Sequence, residues 1–219
     1  MIRIAFLMHF ISFAICTVNG QATRANILND IDTLKTYLFY LHGQITLEKG
    51  KGISQYFGIY EYQNILDTFS SYGYKVISEP RPINADDGLY SVKVSMQIDT
   101  LLKAGVKPGK ITVVGASAGA YITIDVAIRV KNKNIKYAIL GMCESDTYKS
   151  YKDKELCGNF LSIYEASDPH GSCLKLFEDK YCITSLKEIK LSMNNNHAFL
   201  YKPYNEWVHP LVNWINKTN

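Results

Sequence analysis

The sequence predicts an α/β domain built on a mostly parallel sheet of about six strands, with helices on both faces. Two observations predict this fold class. First, short apolar runs alternate along the chain with longer segments whose apolar residues recur at helical spacing. Second, the short runs are largely continuous in apolar character, as strands covered by helices on both faces require.

Six short runs are predicted to be strands. They are residues 37–41, 75–78, 111–114, 137–140, 160–164 and 189–193. Four segments between or after them are predicted to be helices, namely residues 60–72, 90–104, 118–130 and 204–216. The 219 residues contain no repeat, low-complexity tract or Pro/Ser-rich linker, so one domain is expected.

The first twenty residues differ from the rest of the chain. Arg3 precedes a largely apolar run at residues 4–15, which small and polar residues follow. This pattern is typical of a secretory signal peptide, and the run is shorter than the about 20 apolar residues that cross a bilayer. We therefore expect a signal peptide at 1–20, a single domain at 21–219, a secreted or periplasmic location and no membrane insertion after cleavage. The alternatives are a buried N-terminal strand and a retained anchor.

Cleavage after residue 20 would leave an even number of cysteines. These are Cys143, Cys157, Cys173 and Cys182. In an oxidising compartment they predict two disulfides, with three possible pairings. Cys173 and Cys182 are closest in sequence, but spacing alone does not choose among the three.

The most informative segment joins the third predicted strand to the helix predicted at 118–130. Residues 115–119 read Gly-Ala-Ser-Ala-Gly, which is the Gly-x-Ser-x-Gly pattern of a nucleophile elbow in its strand-turn-helix context. Only small residues fit beside the serine in so tight a turn, and the turn lifts the serine hydroxyl above the sheet. Ser117 is therefore the candidate nucleophile. The N–H of Ala118 opens the helix, where unpaired donors favour a developing negative charge. Outside this context, the motif would indicate only a packing turn.

At this motif the chain resembles the serine hydrolases of the α/β-hydrolase superfamily, over residues 37 to 214. His42 and Gly43, at the end of the first predicted strand, resemble the family's strand-end His-Gly. The resemblance implies that the next backbone N–H, at Gln44, completes an oxyanion hole, and that His42 shapes the loop. Residues 23–34 are too few for the two leading strands of larger members, so a trimmed sheet is implied.

The family's chain order of nucleophile, acid and histidine is also matched. Asp168 follows the fifth predicted strand, and His197 follows the sixth. The histidine would accept the proton of Ser117, and the carboxylate would hold the imidazole in the required tautomer. Asp146 is the alternative acid, because some members carry the acid one strand earlier. His170 is set aside because it nearly adjoins Asp168.

The resemblance implies a serine hydrolase that acts on a small-molecule carboxylic ester through an acyl-enzyme on Ser117, with no cofactor and no metal. Peptidases and thioesterases use the same machinery, and an inactive hydrolase fold that only binds is the rival from another class. The net charge of +4 comes without a Lys/Arg cluster interleaved with aromatics, so no nucleic-acid partner is expected. Arg81, between two prolines, could line the pocket, although an ion pair in a stiff loop is the preferred interpretation.

The connection at 142–159 is too short for a large lid, with room for a short loop and one helix. The mouth of the site is therefore expected to come from residues 44–56 and 169–181. A bridge between Cys173 and Cys182 could stiffen the second of these segments.

Overall fold

The computed structural model of the chain describes residues 28–44, 52–82 and 84–217. The predicted signal peptide at 1–20 lies outside the described residues, as do the first residues of the predicted domain. Within the described part, no helix combines the length and the apolar character that spanning a bilayer requires.

The described chain alternates strands and helices. The strands are β1 (Tyr37–Leu41), β2 (Gly52–Ser54), β3 (Gly58–Tyr60), β4 (Lys75–Ile77), β5 (Ile111–Ala116), β6 (Lys136–Leu140), β7 (Gly158–Glu165) and β8 (Ile183–Leu191). The helices are α1 (Tyr62–Ser71), α2 (Asp87–Lys103), α3 (Ala118–Val130), α4 (Ser145–Tyr151) and α5 (Asn205–Asn216). Six strands form one sheet in the order β4-β1-β5-β6-β7-β8, and every pairing within it is parallel. β2 and β3 form a separate antiparallel hairpin.

Each face of the sheet is covered by two helices. Successive strand residues point to opposite faces, so Tyr37 and Phe39 join one core and Leu38 and Tyr40 the other. The first core is completed by apolar residues of α2 and α3, and the second by those of α1 and α5. The predicted α/β fold, with six parallel strands and helices on both faces, is confirmed.

The boundaries of β8 were predicted incorrectly. The prediction placed this strand at 189–193, whereas it runs from Ile183 to Leu191. β8 is an edge strand that pairs only with β7, and residues such as Thr184 and Lys187 are exposed on it. Its sequence is therefore largely polar, which hid the first half of the strand from a search for continuous apolar runs.

The cysteines form the bridges Cys143–Cys173 and Cys157–Cys182. A Cys173–Cys182 bridge is therefore wrong. Cys157 and Cys182 each directly precede one of the neighbouring parallel strands β7 and β8, so they meet at the amino edge of the sheet. Cys143 and Cys173 follow β6 and β7 at the carboxyl edge. There the backbone of Cys143 also pairs with that of Gly171 in an isolated antiparallel β-bridge. The expected two disulfides are present, and Cys173 and Cys182 lie apart because residue 173 follows β7 at the carboxyl edge whereas residue 182 precedes β8 at the amino edge.

The first turn of α3 packs directly on the backbone at the end of β1. A Cβ atom added to Gly119 would lie 2.6 Å from the carbonyl carbon of Leu41 and 2.8 Å from the carbonyl oxygen of His42. Contacts below 3.0 Å are too short for a real Cβ, and backbone atoms cannot rotate away as a side chain can. The position therefore requires glycine.

We expect Gly119→Ala to lower the free energy of unfolding by roughly 3 kcal/mol, because overpacking against backbone exceeds the gain in helix propensity. Gly171→Ala is the matched control, since a Cβ there would meet no atom within 4 Å. Its effect should stay within about 0.5 kcal/mol. Urea denaturation followed by circular dichroism measures both, and equal midpoints would contradict the packing argument.

Candidate active site

Ser117 occupies a strained turn between β5 and α3. Its φ of 50° and ψ of −121° are rare for a residue with a side chain. The turn is held from both sides, since Ser117 N–H donates to the Leu140 carbonyl at 2.9 Å and its own carbonyl accepts from Ala120 N–H at 2.8 Å. A Cβ at Gly115 would lie 2.6 Å from the Cα of Ala120, which explains the glycine before the serine. Such strain, kept by surrounding packing, is typical of functional positions.

The end of β1 lies beside the serine. A Cβ placed on Gly43 would be 3.2 Å from the Cβ of Ser117. A cavity of about 110 Å³ opens here, and both predicted oxyanion donors, Gln44 and Ala118, line it. The remaining lining residues are His42, Gly43, Arg81, Pro82, Ala85 and Asp87.

His42 is buried and held in one neutral tautomer. Its Nε2 accepts the backbone N–H of Arg81 at 2.8 Å, so Nδ1 carries the proton and donates to the Gly43 carbonyl at 2.7 Å. Burial, with a smaller contribution from the charge of Arg81, lowers the pKa of His42 to about 4. His42 is therefore neutral at pH 7 and already engaged through both nitrogens, which fits the loop-shaping role implied by the resemblance.

Arg81 braces the same loop. Its guanidinium Nη2 donates to the carbonyl oxygen of His42, and its side chain is buried. The ion pair of the stiff loop is made by Glu79 instead, with Lys93 at 2.8 Å. Arg81 thus lines the cavity, as the alternative interpretation of this segment held, while Glu79 makes the ion pair of the preferred interpretation.

Asp168 and His197 are directly bonded. The Asp168 side chain is fully buried after β7, and its Oδ2 accepts the Nδ1–H of His197 at 2.6 Å. Burial alone would raise the pKa of Asp168, but hydrogen bonds from His170 and His197 outweigh it and hold this pKa well below its usual range. Because Nδ1 faces the carboxylate, Nε2 is the nitrogen of His197 left for a reacting group.

Asp146, the alternative acid, lies elsewhere. It stands in the first turn of α4 with its side chain 78% exposed, and it pairs with Lys149 at 2.8 Å. Lys149 lowers the pKa of Asp146 through this hydrogen bond. Of the two candidates, the structure places only Asp168 on His197.

The loop that carries His197 is fastened by a second buried carboxylate. Glu165, the last residue of β7, accepts the backbone N–H groups of Met193 at 2.9 Å and Asn194 at 3.2 Å. Asn194 and Asn196 both have positive φ, which asparagine tolerates better than most residues. Glu165 was not predicted from the sequence. The three successive asparagines before His197 are the local feature that could have indicated an unusual turn there.

A second histidine also contacts the acid. His170 donates its Nδ1–H to Oδ1 of Asp168 at 3.0 Å and its backbone N–H to the same oxygen at 3.1 Å. The hydrogen bond to Asp168 raises the pKa of His170. The rings of His170 and His197 have centroids 4.9 Å apart. His170 was set aside as a candidate base because it nearly adjoins Asp168, and its contact with the acid was not predicted.

Three atoms of Asp168, His170 and His197 that could ligate a metal lie within 4.8 Å of one another. Both imidazole nitrogens that face the carboxylate donate hydrogen bonds to it, so we assign this cluster to hydrogen bonding and not to a metal. A second group found among the described residues includes Cys157 and Cys182, whose sulfurs are joined in a disulfide.

Ser117, Asp168 and His197 follow β5, β7 and β8, so all three lie at the carboxyl edge of the sheet, where open α/β sheets place their ligands. Within the described residues, no hydrogen bond joins the Ser117 hydroxyl to His197. Such a bond often tightens only when substrate is bound.

Of the two predicted rim segments, 169–181 is described in full, whereas residues 45–51 of the segment 44–56 lie outside the described residues. Phe57, at the turn of the β2–β3 hairpin, lies with its ring centroid 6.2 Å from that of His197. On the other side, Pro169 and Gly171 line a groove of about 530 Å³ against α4. α4 is the single helix described between residues 142 and 159, as the length of this connection predicted.

No family model and no curated protein sequence matches the chain. Solved structures match it in fold. A candidate α/β hydrolase of unknown function from Agrobacterium tumefaciens superposes with a TM-score of 0.58 at 17% identity, over 85% of this chain and 86% of that one. The esterase RhEst1 from Rhodococcus sp. gives 0.55 at 11% identity, over 86% and 93%. SOBER1 from Arabidopsis thaliana gives 0.55 at 13%, over 83% and 97%.

We expect Asp168→Asn to reduce turnover of p-nitrophenyl acetate, the kind of ester that the resemblance implies, by about 10⁴-fold, because the amide favours the wrong tautomer of His197. Asp146→Asn removes only an exposed ion pair and should change turnover less than about twofold. Steady-state kinetics on both folded variants gives the comparison. The reverse ranking would move the acid to Asp146.

Proposed function

Since the chain has the α/β-hydrolase fold, we propose that it is a serine hydrolase that cleaves carboxylic esters of short acyl groups through an acyl-enzyme on Ser117. The observation that carries this proposal is the 2.6 Å hydrogen bond between His197 and the buried carboxylate of Asp168. It lies at the same sheet edge as the strained Ser117. A nucleophile, a base and a group that orients the base are together what acyl transfer requires.

The reaction has two halves. In the first, Ser117 Oγ attacks the acyl carbon while His197 Nε2 takes the hydroxyl proton, and the same proton then goes to the departing alcohol as the ester C–O bond breaks. In the second, His197 Nε2 takes a proton from water, whose oxygen attacks the acyl carbon. The bond to Ser117 Oγ breaks, the serine regains the proton and the carboxylic acid leaves. Asp168 stays ionised throughout and stabilises the imidazolium.

The oxyanion formed in each half would be held by the backbone N–H groups of Gln44 and Ala118. Their place on the wall of one cavity beside Ser117 supports this assignment. The assignment also gives a purpose to the contacts of His42 and Arg81, because these brace the loop that carries the Gln44 amide. Donors fixed before the reaction stabilise developing charge without the cost of reorganisation.

The size of this cavity supports a short acyl group. An engineered cavity of about 150 Å³ is large enough to bind benzene. The cavity lined by Gly43 and Ala118, which adjoin Ser117, measures about 110 Å³ and also has polar lining residues such as Arg81 and Asp87. It suits an acyl group of a few carbon atoms better than a long apolar chain.

We further propose that the protein is secreted or periplasmic. The signal-like pattern at residues 1–20 supports this, as do the two disulfides, which form and persist mainly in oxidising compartments.

A fluorophosphonate probe should label the folded protein, and Ser117→Ala should abolish labelling and lower ester turnover by at least about 10³-fold. Ser150→Ala, an exposed serine on α4, is the matched control and should behave like the wild type. Persistent labelling of Ser117→Ala would refute the nucleophile. An unlabelled wild type would favour a protein that binds without catalysis.

We expect kcat/KM to be highest for acetate and butyrate esters of p-nitrophenol and to fall for the octanoate, because the cavity is small. The rate against concentration of tributyrin should also show no jump at its solubility limit, because α4 is too short to act as a large mobile lid. A sharp rise above that limit would contradict the lidless interpretation. Faster cleavage of peptides or thioesters than of esters would show that the substrate is not a carboxylic ester.

A further inference from the structure

The carboxylate of Asp168 binds two imidazoles, one on each oxygen. Oδ2 accepts from His197 at 2.6 Å, and Oδ1 accepts from His170 at 3.0 Å. The backbone N–H of His170 also donates to Oδ1, so His170 is anchored to the acid at two points. A triad needs only the bond on Oδ2, which leaves the contact on Oδ1 without a role in the mechanism described above.

We propose that His170 is a positioning residue that keeps His197 neutral, and so able to accept a proton, at lower pH than the Asp168–His197 pair alone would allow. This inference rests on the proposed function, because it concerns the regulation of the same site. Among the described contacts, His170 bonds to Asp168 and packs on the ring of His197, so it acts through the carboxylate and through its charge.

The sign of the effect follows from two interactions. The hydrogen bond to Asp168 raises the pKa of His170, so as pH falls His170 gains its positive charge earlier than an isolated histidine would. With the rings 4.9 Å apart, that charge opposes a second positive charge on His197. His170 also shares the negative charge of Asp168, which leaves less of it to stabilise the His197 imidazolium. Both interactions disfavour protonation of His197.

Few other charges surround the pair. Glu144, at the start of α4, favours the charged form of His170, as does Asp168, which is hydrogen-bonded to both rings. Glu165 is engaged by the backbone of the His197 loop, and Lys149 and Lys175 line the adjoining groove. His197 itself packs against the uncharged ring of Phe57. Among the contacts that the described residues make with His197, His170 is therefore the one group that can carry a positive charge.

The test replaces His170 in two ways. His170→Asn can keep a donor near the position of Nδ1 but carries no charge, whereas His170→Phe removes both. The first measurement is an NMR titration of the imidazole Cε1–H signals of the full chain between pH 4.5 and 8.5. This titration needs no enzyme turnover, so it tests the role of His170 even if the proposed function is wrong. The second measurement is kcat/KM for p-nitrophenyl acetate over the same range, normalised to the plateau of each variant.

In both variants we expect His197 to titrate at a pH higher by about half a unit, and the acid limb of the kcat/KM profile to move by the same amount. On the acid limb, where activity falls about tenfold per pH unit, the normalised activity would then be roughly threefold below that of the wild type. His209→Asn, which changes an exposed histidine on α5, should move neither midpoint.

An unmoved His197 midpoint in both variants would overturn the inference, and a lower plateau beside it would mean that His170 only supports the loop. A midpoint that moves in His170→Phe but not in His170→Asn would overturn the part of the inference that rests on the charge of His170, and leave the part that rests on its hydrogen bond to Asp168. A wild type without esterase activity would refute the proposed function, while the NMR midpoints would still decide whether His170 controls protonation of His197.

Discussion

The arrangement depends on the contact between the backbone of Leu41 and the first turn of α3, which the absence of a side chain at Gly119 permits. This contact brings the end of β1 against the turn after β5, so that Gly43 lies beside Ser117. The turn keeps its positive φ because packing on both sides leaves it no alternative. One steric constraint therefore places the serine and the loop of the proposed oxyanion donors together.

The end of β7 divides two tasks between two buried carboxylates. Glu165 accepts backbone N–H groups of the loop after β8 and so fixes the path of the chain that leads to His197. The Asp168 carboxylate accepts from the imidazoles of His170 and His197 and from one backbone N–H, that of His170. Because hydrogen bonds to a buried carboxylate are strong and directional, this division holds the His197 ring and its loop independently.

Much of the fold could be predicted because parallel strands buried on both faces have a recognisable composition. The central strands β1, β5, β6 and β7 were placed to within about two residues at most boundaries. β8 was not, because an edge strand exposes one side and mixes residues such as Lys187 with Ile189. The presence of two disulfides was predicted, but their pairing was left open, since pairing follows which ends of the strands meet, and not the number of residues between cysteines.

By itself, the sequence determined the parallel α/β architecture and the turn at Ser117, because periodicity, small residues and strand-to-helix context are local properties of the chain. Chain order also pointed to Asp168 and His197 as partners. Only the tertiary structure decided that Asp168 and not Asp146 contacts His197, and that His170 shares the same carboxylate. Those choices depend on distances between residues on different strands and loops, which spacing along one chain does not contain.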